Sequence, residues 1–504
     1  MARLKNLYSI KLIITFLLGS VTVLGFAPFY LFPVPVITLA VLLGFCHKIQ
    51  TPLRAALLGF CFGMGLFCAG VTWIYVSLHD FGAMPMPIAV TALIILCAYL
   101  SLFPAASVWV LAKLRLASPF IWAAVAAALW MLFEWLRGYL FTGFPWMTLG
   151  YSQAPFSPLA GFAPIIGVYG ISLLLVFSAA LLFFWIETCF RQWRYGLSFV
   201  LIWLGGFGLQ AIEWVKPEGE PVTVSLLQGN IAQDMKWRED HLENTMETYA
   251  KLILESDSRL IVTPEISIPL FSDVMPQSYL SHLATHARNN GGDVLIGLAE
   301  RTVDGSDDYY NTMFSYGSAP QQRYRKHHLV PFGEFIPLKP IFGWVIQVLQ
   351  IPLSDFSRGG LDQQPMDLAG QRVAINICYE DVFGEEIIYQ LPQATMLVNV
   401  SNDAWFGRSI GPQQHLQISQ MRALETGRYM LRATNTGVTA IIDERGRVLQ
   451  TIEIFTTAAL HGLAQGFTGA TPYVRAGNYP ILGLAGLILC MGLLSAFRAT
   501  RKTL

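Results

Sequence analysis

Charge is scarce in this chain: only 13% of its 504 residues are Asp, Glu, Lys or Arg, against 54% hydrophobic. One soluble globule would struggle to bury that excess, so a membrane region is expected. Cysteine is sparse too. Of seven, Cys46, Cys61, Cys68, Cys97, Cys189 and Cys490 lie in or beside apolar runs, where a thiol acts as a small hydrophobe. Only Cys378 falls in a polar stretch, which excludes an internal disulfide there and any Cys-rich metal spacing. No Gly-Lys phosphate loop or dinucleotide fingerprint can be placed on a strand-turn-helix, so no cofactor is expected. The adjacent His327 and His328 lack a third histidine or carboxylate at ligand spacing, so no metal is expected either. The net charge of zero hides a partition: residues 215–478 hold 20 basic against 29 acidic residues, and the remainder 13 against 4. An acidic polar region argues against a nucleic-acid partner.

What is present is a series of apolar runs, at 9–26, 30–46, 55–77, 85–112, 118–136, 159–188, 195–213 and 480–497. Each reaches or approaches the roughly 20 residues a membrane helix needs. The first is read as an anchor, because it has no clear small-residue cleavage site and further runs follow closely. Basic residues alternate by loop: Arg3 and Lys5, Lys48 and Arg54, Lys113 and Arg115, Arg191 and Arg194 occupy every second one. The positive-inside rule puts those loops and the tail in the cytoplasm. The expected organisation is a seven-helix membrane region over 1–214, a catalytic domain over 215–478 on the outer face, and a last helix with its tail over 479–504. In a bacterium that domain is periplasmic. Between Arg137 and Pro158 an aromatic, weakly charged outward loop reads as an interfacial platform, with Glu134 nearby expected to pair with Arg137.

From residue 222 the pattern changes. "VTVSLLQG", "RLIVTPE", "DVLIGLAE", "RVAINICYE", "MLVNVSND" and "GVTAIIDE" read as short buried strands. "DHLENTMETYAKLILES" and "QQHLQISQMRALETGR" between them carry helical apolar spacing with polar opposite faces. Alternating strands and helices imply an α/β layered domain. Glu265 closes one strand, Cys378 another, and Lys326 lies in "RYRKHHLVPFGE", which places all three where such folds carry chemistry. The basic cluster Arg323, Arg325, Lys326, His327 and His328 also reads as a loop near lipid headgroups. The apolar segment 332–356 reads either as a lid at the bilayer edge or as packing beneath the domain.

"TPE", "YRKHHLVPFGE" and "ICYED", in that order, resemble the Glu-Lys-Cys triad of the nitrilase, or carbon-nitrogen hydrolase, superfamily. With "GFAPF" at 25–29, "WIYVSLHDFG" at 73–82, "TGFPW" at 142–146, "QGNIAQDMKW" at 228–237 and "SNDAWFG" at 401–407, the whole chain resembles the apolipoprotein N-acyltransferase family. The likeness runs on through "GPQQHLQISQMRALETGRYMLRATNTGVTAIID" and covers essentially the full length. It departs at Thr263, where Trp is common before the proline.

The resemblance implies an eight-span helical bundle carrying a nitrilase-like αββα sandwich on the bacterial inner membrane. It implies acyl transfer from a phospholipid to the N-terminal amine of a diacylglyceryl-cysteine apolipoprotein, by a chain expected to act as a monomer. Cys378 is then the nucleophile, Glu265 its base and Lys326 the cation that stabilises thiolate and oxyanion, with Glu334 positioning Lys326. Tyr379 and Glu380 would shape the pocket, and Trp237 and Trp405 would lie near the substrate. A membrane-tethered amidase using water would share the triad. A transporter or scaffold is disfavoured, because mid-span ionisable positions are almost empty.

Overall fold

The computed structural model describes residues 2–49, 51–114, 116–302, 309–337, 340 and 355–501. The chain divides into two compact units, one of Met1–Ile74, Met86–Glu213 and Arg475–Leu504, the other of Tyr75–Pro85 and Trp214–Val474.

In the helical unit, six helices among the described residues are long and apolar enough to cross a membrane. They are Tyr8–Gly25, Pro52–Gly70, Met86–Lys113, Pro119–Arg137, Pro158–Glu187 and Tyr479–Arg498. The runs expected at 30–46 and 195–213 form shorter helices, Pro33–His47 and Trp193–Leu209, of 15 and 17 residues. Large apolar side chains such as Leu57, Ile95, Leu204 and Leu487 point outward, as lipid-facing residues do. The helices meet through small residues: a Cβ on Gly19 would strike the Phe62 carbonyl, and one on Gly65 the Phe16 carbonyl. The run expected at 55–77 stops at Gly70. Beyond it, Tyr75–Pro85 belongs to the other unit, where Ser77 Oγ donates to the Trp405 carbonyl at 2.8 Å.

The 137–158 loop is only in part the interfacial platform expected. Tyr139, Leu140, Phe141 and Phe156 are exposed, whereas Trp146, Met147, Leu149 and Tyr151 are buried. Arg137 donates to the carbonyls of Phe144 and Trp146 at 2.7 and 2.5 Å, and Glu134 Oε1 accepts from the Leu149 N–H at 3.0 Å. Both side chains therefore turn inward and tie the loop back to its helix, each through hydrogen bonds to loop backbone.

The second unit contains two six-stranded sheets. The first runs β12-β1-β2-β3-β4-β5, from Ala458–Thr468 (β12) and Lys216–Gln228 (β1) through Leu260–Val262 (β2), Asp293–Arg301 (β3) and Tyr309–Gly317 (β4) to Arg323–Arg325 (β5). The second runs β11-β10-β9-β8-β7-β6, from Val448–Thr451 (β11), Ala440–Ile442 (β10) and Met430–Thr434 (β9) to Met396–Ser401 (β8), Gln371–Ile377 (β7) and Met366–Leu368 (β6). Val224, Leu226, Val262 and Leu295 of one sheet share a buried cluster with Val373, Ile375, Val398 and Leu431 of the other, so the sheets pack face to face. Helices Glu239–Leu254 and Gln277–Asn289 cover the outside of the first sheet, through Tyr249, Ile253, Leu280 and Leu283. Helix Gly411–Thr426 covers the second through Leu416 and Ala423. The layers are therefore helix, sheet, sheet, helix.

At each centre the pairing is parallel: Leu226, Val262 and Leu295 align across β1, β2 and β3, and Ile377, Val400 and Ala433 across β7, β8 and β9. Glu265 follows β2, Cys378 follows β7, and Asn402 with Asp403 follows β8. These are the carboxyl ends of parallel strands, where open α/β sheets place their sites. Leu226 is fully buried between the sheets. Truncating it should therefore destabilise the unit: Leu226→Ala is expected to cost about 2–5 kcal/mol, read as a lower unfolding midpoint of the detergent-solubilised protein.

Candidate active site

Three acidic and basic side chains converge at the strand ends. Lys326, 1% exposed, extends its ammonium to Glu334 Oε1 at 2.8 Å and to Glu265 Oε1 at 3.2 Å. Asn311 Nδ2, from β4, donates to Glu265 Oε1 at 2.7 Å. The Asn402 N–H donates to Glu265 Oε2 at 2.9 Å, and the Val330 N–H fixes Glu334 Oε2 at 2.8 Å. Burial alone would lower Lys326, but Glu265 and Glu334 outweigh it and hold the amine well above its usual value. Burial would raise Glu265, and Lys326, Lys236 and the donors from Asn311 and Asn402 bring it below the ordinary carboxylate range instead. At neutral pH the resting site therefore holds a carboxylate and an ammonium.

Cys378 is half-buried and sits at φ 55°, in the left-handed region that a side chain adopts only under local strain. Ile266, just after Glu265, is also left-handed, at φ 39°. Burial and the Glu265 charge push the Cys378 thiol well above its usual value, more strongly than Lys326 lowers it. The resting sulfur is therefore held as the thiol, while Glu265, its expected base, is ionised.

The Cys378 peptide is pinned from behind. Its carbonyl accepts from Asn399 Nδ2 at 3.1 Å and from His415 Nε2 at 3.3 Å. In a trans peptide the next N–H points the opposite way, so the Tyr379 N–H faces away from these two donors. His415 also contacts Asp381 at 2.9 Å and Asp403 at 3.0 Å. Arg432 closes the network, with Nη2 2.8 Å from Asp403 and Nη1 2.5 Å from Asn399 Oδ1. Burial and Arg432 push His415 down, and the two aspartates more than reverse this; both ring nitrogens face acceptor oxygens.

Glu380, expected to shape the pocket, is buried beside this turn. Its carboxylate accepts from the N–H groups of Ile377, His327 and His328 at 2.6, 2.6 and 3.1 Å, and lies 3.1 Å from the Tyr324 hydroxyl. It clamps the Cys378 turn to the segment carrying Lys326. Tyr379 is buried and meets Phe383 edge-on at 5.3 Å. Trp237 packs at the cluster of Ile266, Leu329 and Phe356, beside Glu265 in sequence. Trp405 sits apart from that cluster, against Phe81 at 6.1 Å.

Most of the basic cluster is paired within the unit. Arg323 and Arg325 both pair with Glu300, at 2.5 and 2.7 Å. His327 Nδ1 lies 2.7 Å from the Gly359 carbonyl and His328 Nδ1 2.8 Å from Glu386. Thr263 is buried, with Oγ1 2.8 Å from Ser267 Oγ and 3.2 Å from the Gly297 N–H, so a polar bridge replaces aromatic packing beside Glu265. Of the apolar segment 332–356, residues 338–339 and 341–354 lie outside the described residues. Asn311 carried no signal in the sequence, whereas Lys236 within "QGNIAQDMKW", Asn402 within "SNDAWFG" and His415 within "GPQQHLQISQ" lay in recognised motifs without being singled out.

Burial raises Glu380 from 4.5 to about 7 against the pull of its backbone donors. The native state then keeps a proton that the unfolded chain loses. Its contribution is complete below pH 4.5 and disappears as pH rises through 7. Unfolding free energies of wild type and Glu380→Gln, measured against pH, should therefore differ by a pH-dependent part of about 3 kcal/mol across this window.

Residues 18–181 match the apolipoprotein N-acyltransferase N-terminal domain, and residues 223–465 match carbon-nitrogen hydrolase. A protein of Nitrosomonas europaea named apolipoprotein N-acyltransferase is 68% identical over 98% of this chain and 99% of its own length. Proteins of the same name from Chromobacterium violaceum and Ralstonia nicotianae are 44% and 43% identical, over 97% and 96% of this chain and 94% and 93% of their own lengths. With both halves matched in order and a relative this close over nearly every residue, the chain belongs to the apolipoprotein N-acyltransferase family.

Proposed function

We propose that this chain moves a fatty acyl group from a membrane phospholipid to the N-terminal amine of a diacylglyceryl-cysteine apolipoprotein, through a thioester on Cys378. The observation that carries the reading is the buried Lys326 ammonium, held by Glu265 and Glu334 where the cysteine turn ends its strand. That constellation suits acyl chemistry, and a chain with six apolar helices of spanning length among the described residues meets its acyl donor in the bilayer.

In the first half-reaction Glu265 takes the thiol proton as sulfur attacks the ester carbonyl. The carbonyl becomes an oxyanion facing Lys326 and the Tyr379 N–H. Collapse breaks the ester bond, and the proton on Glu265 passes to the departing lysophospholipid oxygen. In the second, the lipoprotein amine attacks the thioester, Glu265 takes an N–H proton, and the sulfur leaves with that proton returned to it. Each half restores Glu265, which gives ping-pong kinetics. Because the thiol begins protonated, proton transfer and attack proceed together. Glu334 holds Lys326 on its second side, Tyr379 and Glu380 fix the turn, and Trp237 and Trp405 border the lipid path.

The alternation of basic loops supports eight crossings, with Pro33–His47 and Trp193–Leu209 as the two shorter spans. It also supports a periplasmic catalytic domain on the bacterial inner membrane. One chain carries every group of the site, so one copy suffices.

Purified protein incubated with phospholipid and a diacylglyceryl-cysteine peptide should yield N-acylated peptide and lysophospholipid, with parallel double-reciprocal lines. Free fatty acid as the main product would favour water as acceptor and overturn the reading. Cys378→Ala should abolish transfer, and Glu265→Gln should slow it by about 100- to 10,000-fold.

A further inference from the structure

The turn that follows β8 supports both members of the reacting pair. Asn402 gives its N–H to Glu265 Oε2 at 2.9 Å. Asp403, the next residue, lies 3.0 Å from His415 Nδ1 and 2.8 Å from Arg432 Nη2, and His415 Nε2 is 3.3 Å from the Cys378 carbonyl oxygen. Asn402 and Asp403 are both buried. A displacement of this turn therefore moves the support of the base and of the nucleophile together, and a misplacement of about 1 Å in an active site costs on the order of 100-fold in rate.

The far end of the turn is gripped by residues 328 positions earlier in the chain. Ser77 Oγ donates to the Trp405 carbonyl at 2.8 Å, and the Phe81 ring meets the Trp405 ring edge-on at 6.1 Å. Gly407 closes the turn at φ 54°, and a Cβ there would come within 2.9 Å of Val76 Cγ1, so the backbone approaches this segment as only glycine allows. Ser77 and Phe81 are the ends of one π-helical turn, Ser77–Phe81, a rare form that is frequent at functional sites. That turn is itself held in shape: the Gly82 N–H donates to the Ser77 carbonyl at 2.9 Å, and His79 Nδ1 lies 2.8 Å from the Met84 carbonyl.

In sequence Ser77 and Phe81 stand between two helices of spanning length, Pro52–Gly70 and Met86–Lys113, yet the compact unit that holds the site includes Tyr75–Pro85 together with Trp214–Val474. We propose that Ser77 and Phe81 are positioning residues for acyl transfer, acting through Trp405 to hold the turn that aligns Glu265 and the Cys378 peptide. Truncating either one removes a single contact, while Asn402 and Asp403 still fix the other end of the turn, so the expected loss is of alignment and not of the fold. A looser turn weakens the Asn402 N–H bond to Glu265 Oε2. The carboxylate is then less stabilised, its proton affinity rises, and base catalysis fails at a higher pH on the acid side. The inference rests on the thioester pathway proposed above.

The test mixes full-length protein in detergent with a phospholipid of one acyl composition and follows the acylated protein by intact mass over time, from about pH 4 to 8. Wild type, Ser77→Ala, Ser77→Thr and Phe81→Ala are compared at saturating phospholipid. In Ser77→Ala and Phe81→Ala the rate of acylation should fall about tenfold or more, while the final fraction acylated matches wild type. The acid side of their pH profiles should also move to higher pH. Threonine keeps the hydroxyl, so Ser77→Thr should stay near the wild-type rate. Wild-type rates in Ser77→Ala and Phe81→Ala, slower rates with an unmoved pH profile, or a smaller acylated fraction formed at the wild-type rate, as misfolding alone gives, would each overturn the positioning role. Equal loss in Ser77→Thr and Ser77→Ala would do the same. Absence of any thioester in wild type would instead overturn the pathway on which the inference rests.

Discussion

A buried ammonium must be paired or lose its proton, and the site is organised around satisfying one. Lys326 stands between Glu265 and Glu334, each of which is fixed by further donors: Asn311 and the Asn402 N–H for the first, the Val330 N–H for the second. These contacts tie the end of β2, the strand β4, the segment after β5 and the end of β8 to one charge. Removing either carboxylate would leave an under-compensated cation among buried groups, which is costlier than losing an ordinary surface ion pair. The same pairing fixes the state of the reactants. With Glu265 ionised and the Cys378 thiol pushed up, the proposed route moves the proton only when a substrate carbonyl is present to receive the sulfur.

Behind Cys378 a second buried network performs a different task. In it His415 and Arg432 lie against Asp381 and Asp403, and Asn399 and Ser419 add further hydrogen bonds. This hydrogen-bonded group holds the left-handed cysteine turn from behind, through the Asn399 and His415 donors to the Cys378 carbonyl. Glu380 braces the opposite side of that turn. The strain at φ 55° is therefore maintained from both sides.

The order of elements was legible because the central strands are short apolar runs ending in polar residues, as in "RLIVTPE" and "RVAINICYE". Edge strands such as β6 and β11, three and four residues long, offer too little pattern to stand out. The polar face of Gly411–Thr426 was misleading. Gln414, His415, Ser419 and Arg422 read as solvent-facing, yet they are buried; Asp381 and Asp403, distant in sequence, take up His415 and Ser419, and Arg422 pairs with Glu425 of the same helix. Glu265, Lys326 and Cys378 were found through their motifs, whereas Asn311 and Lys236 depend on where folding brings β4 and the turn before Trp237. In the helical unit, hydropathy located the apolar runs but not the break at Gly70, after which Tyr75–Pro85 belongs to the catalytic unit.

The central claim is covalent, and mass is its most direct measure. Intact-mass analysis after incubation with a phospholipid of one acyl composition should show one added acyl group. Peptide mapping should place it on Cys378, and addition of a diacylglyceryl-cysteine peptide should remove it. An unmodified protein that still acylates the peptide, or an acyl group mapped to another residue, would contradict the account.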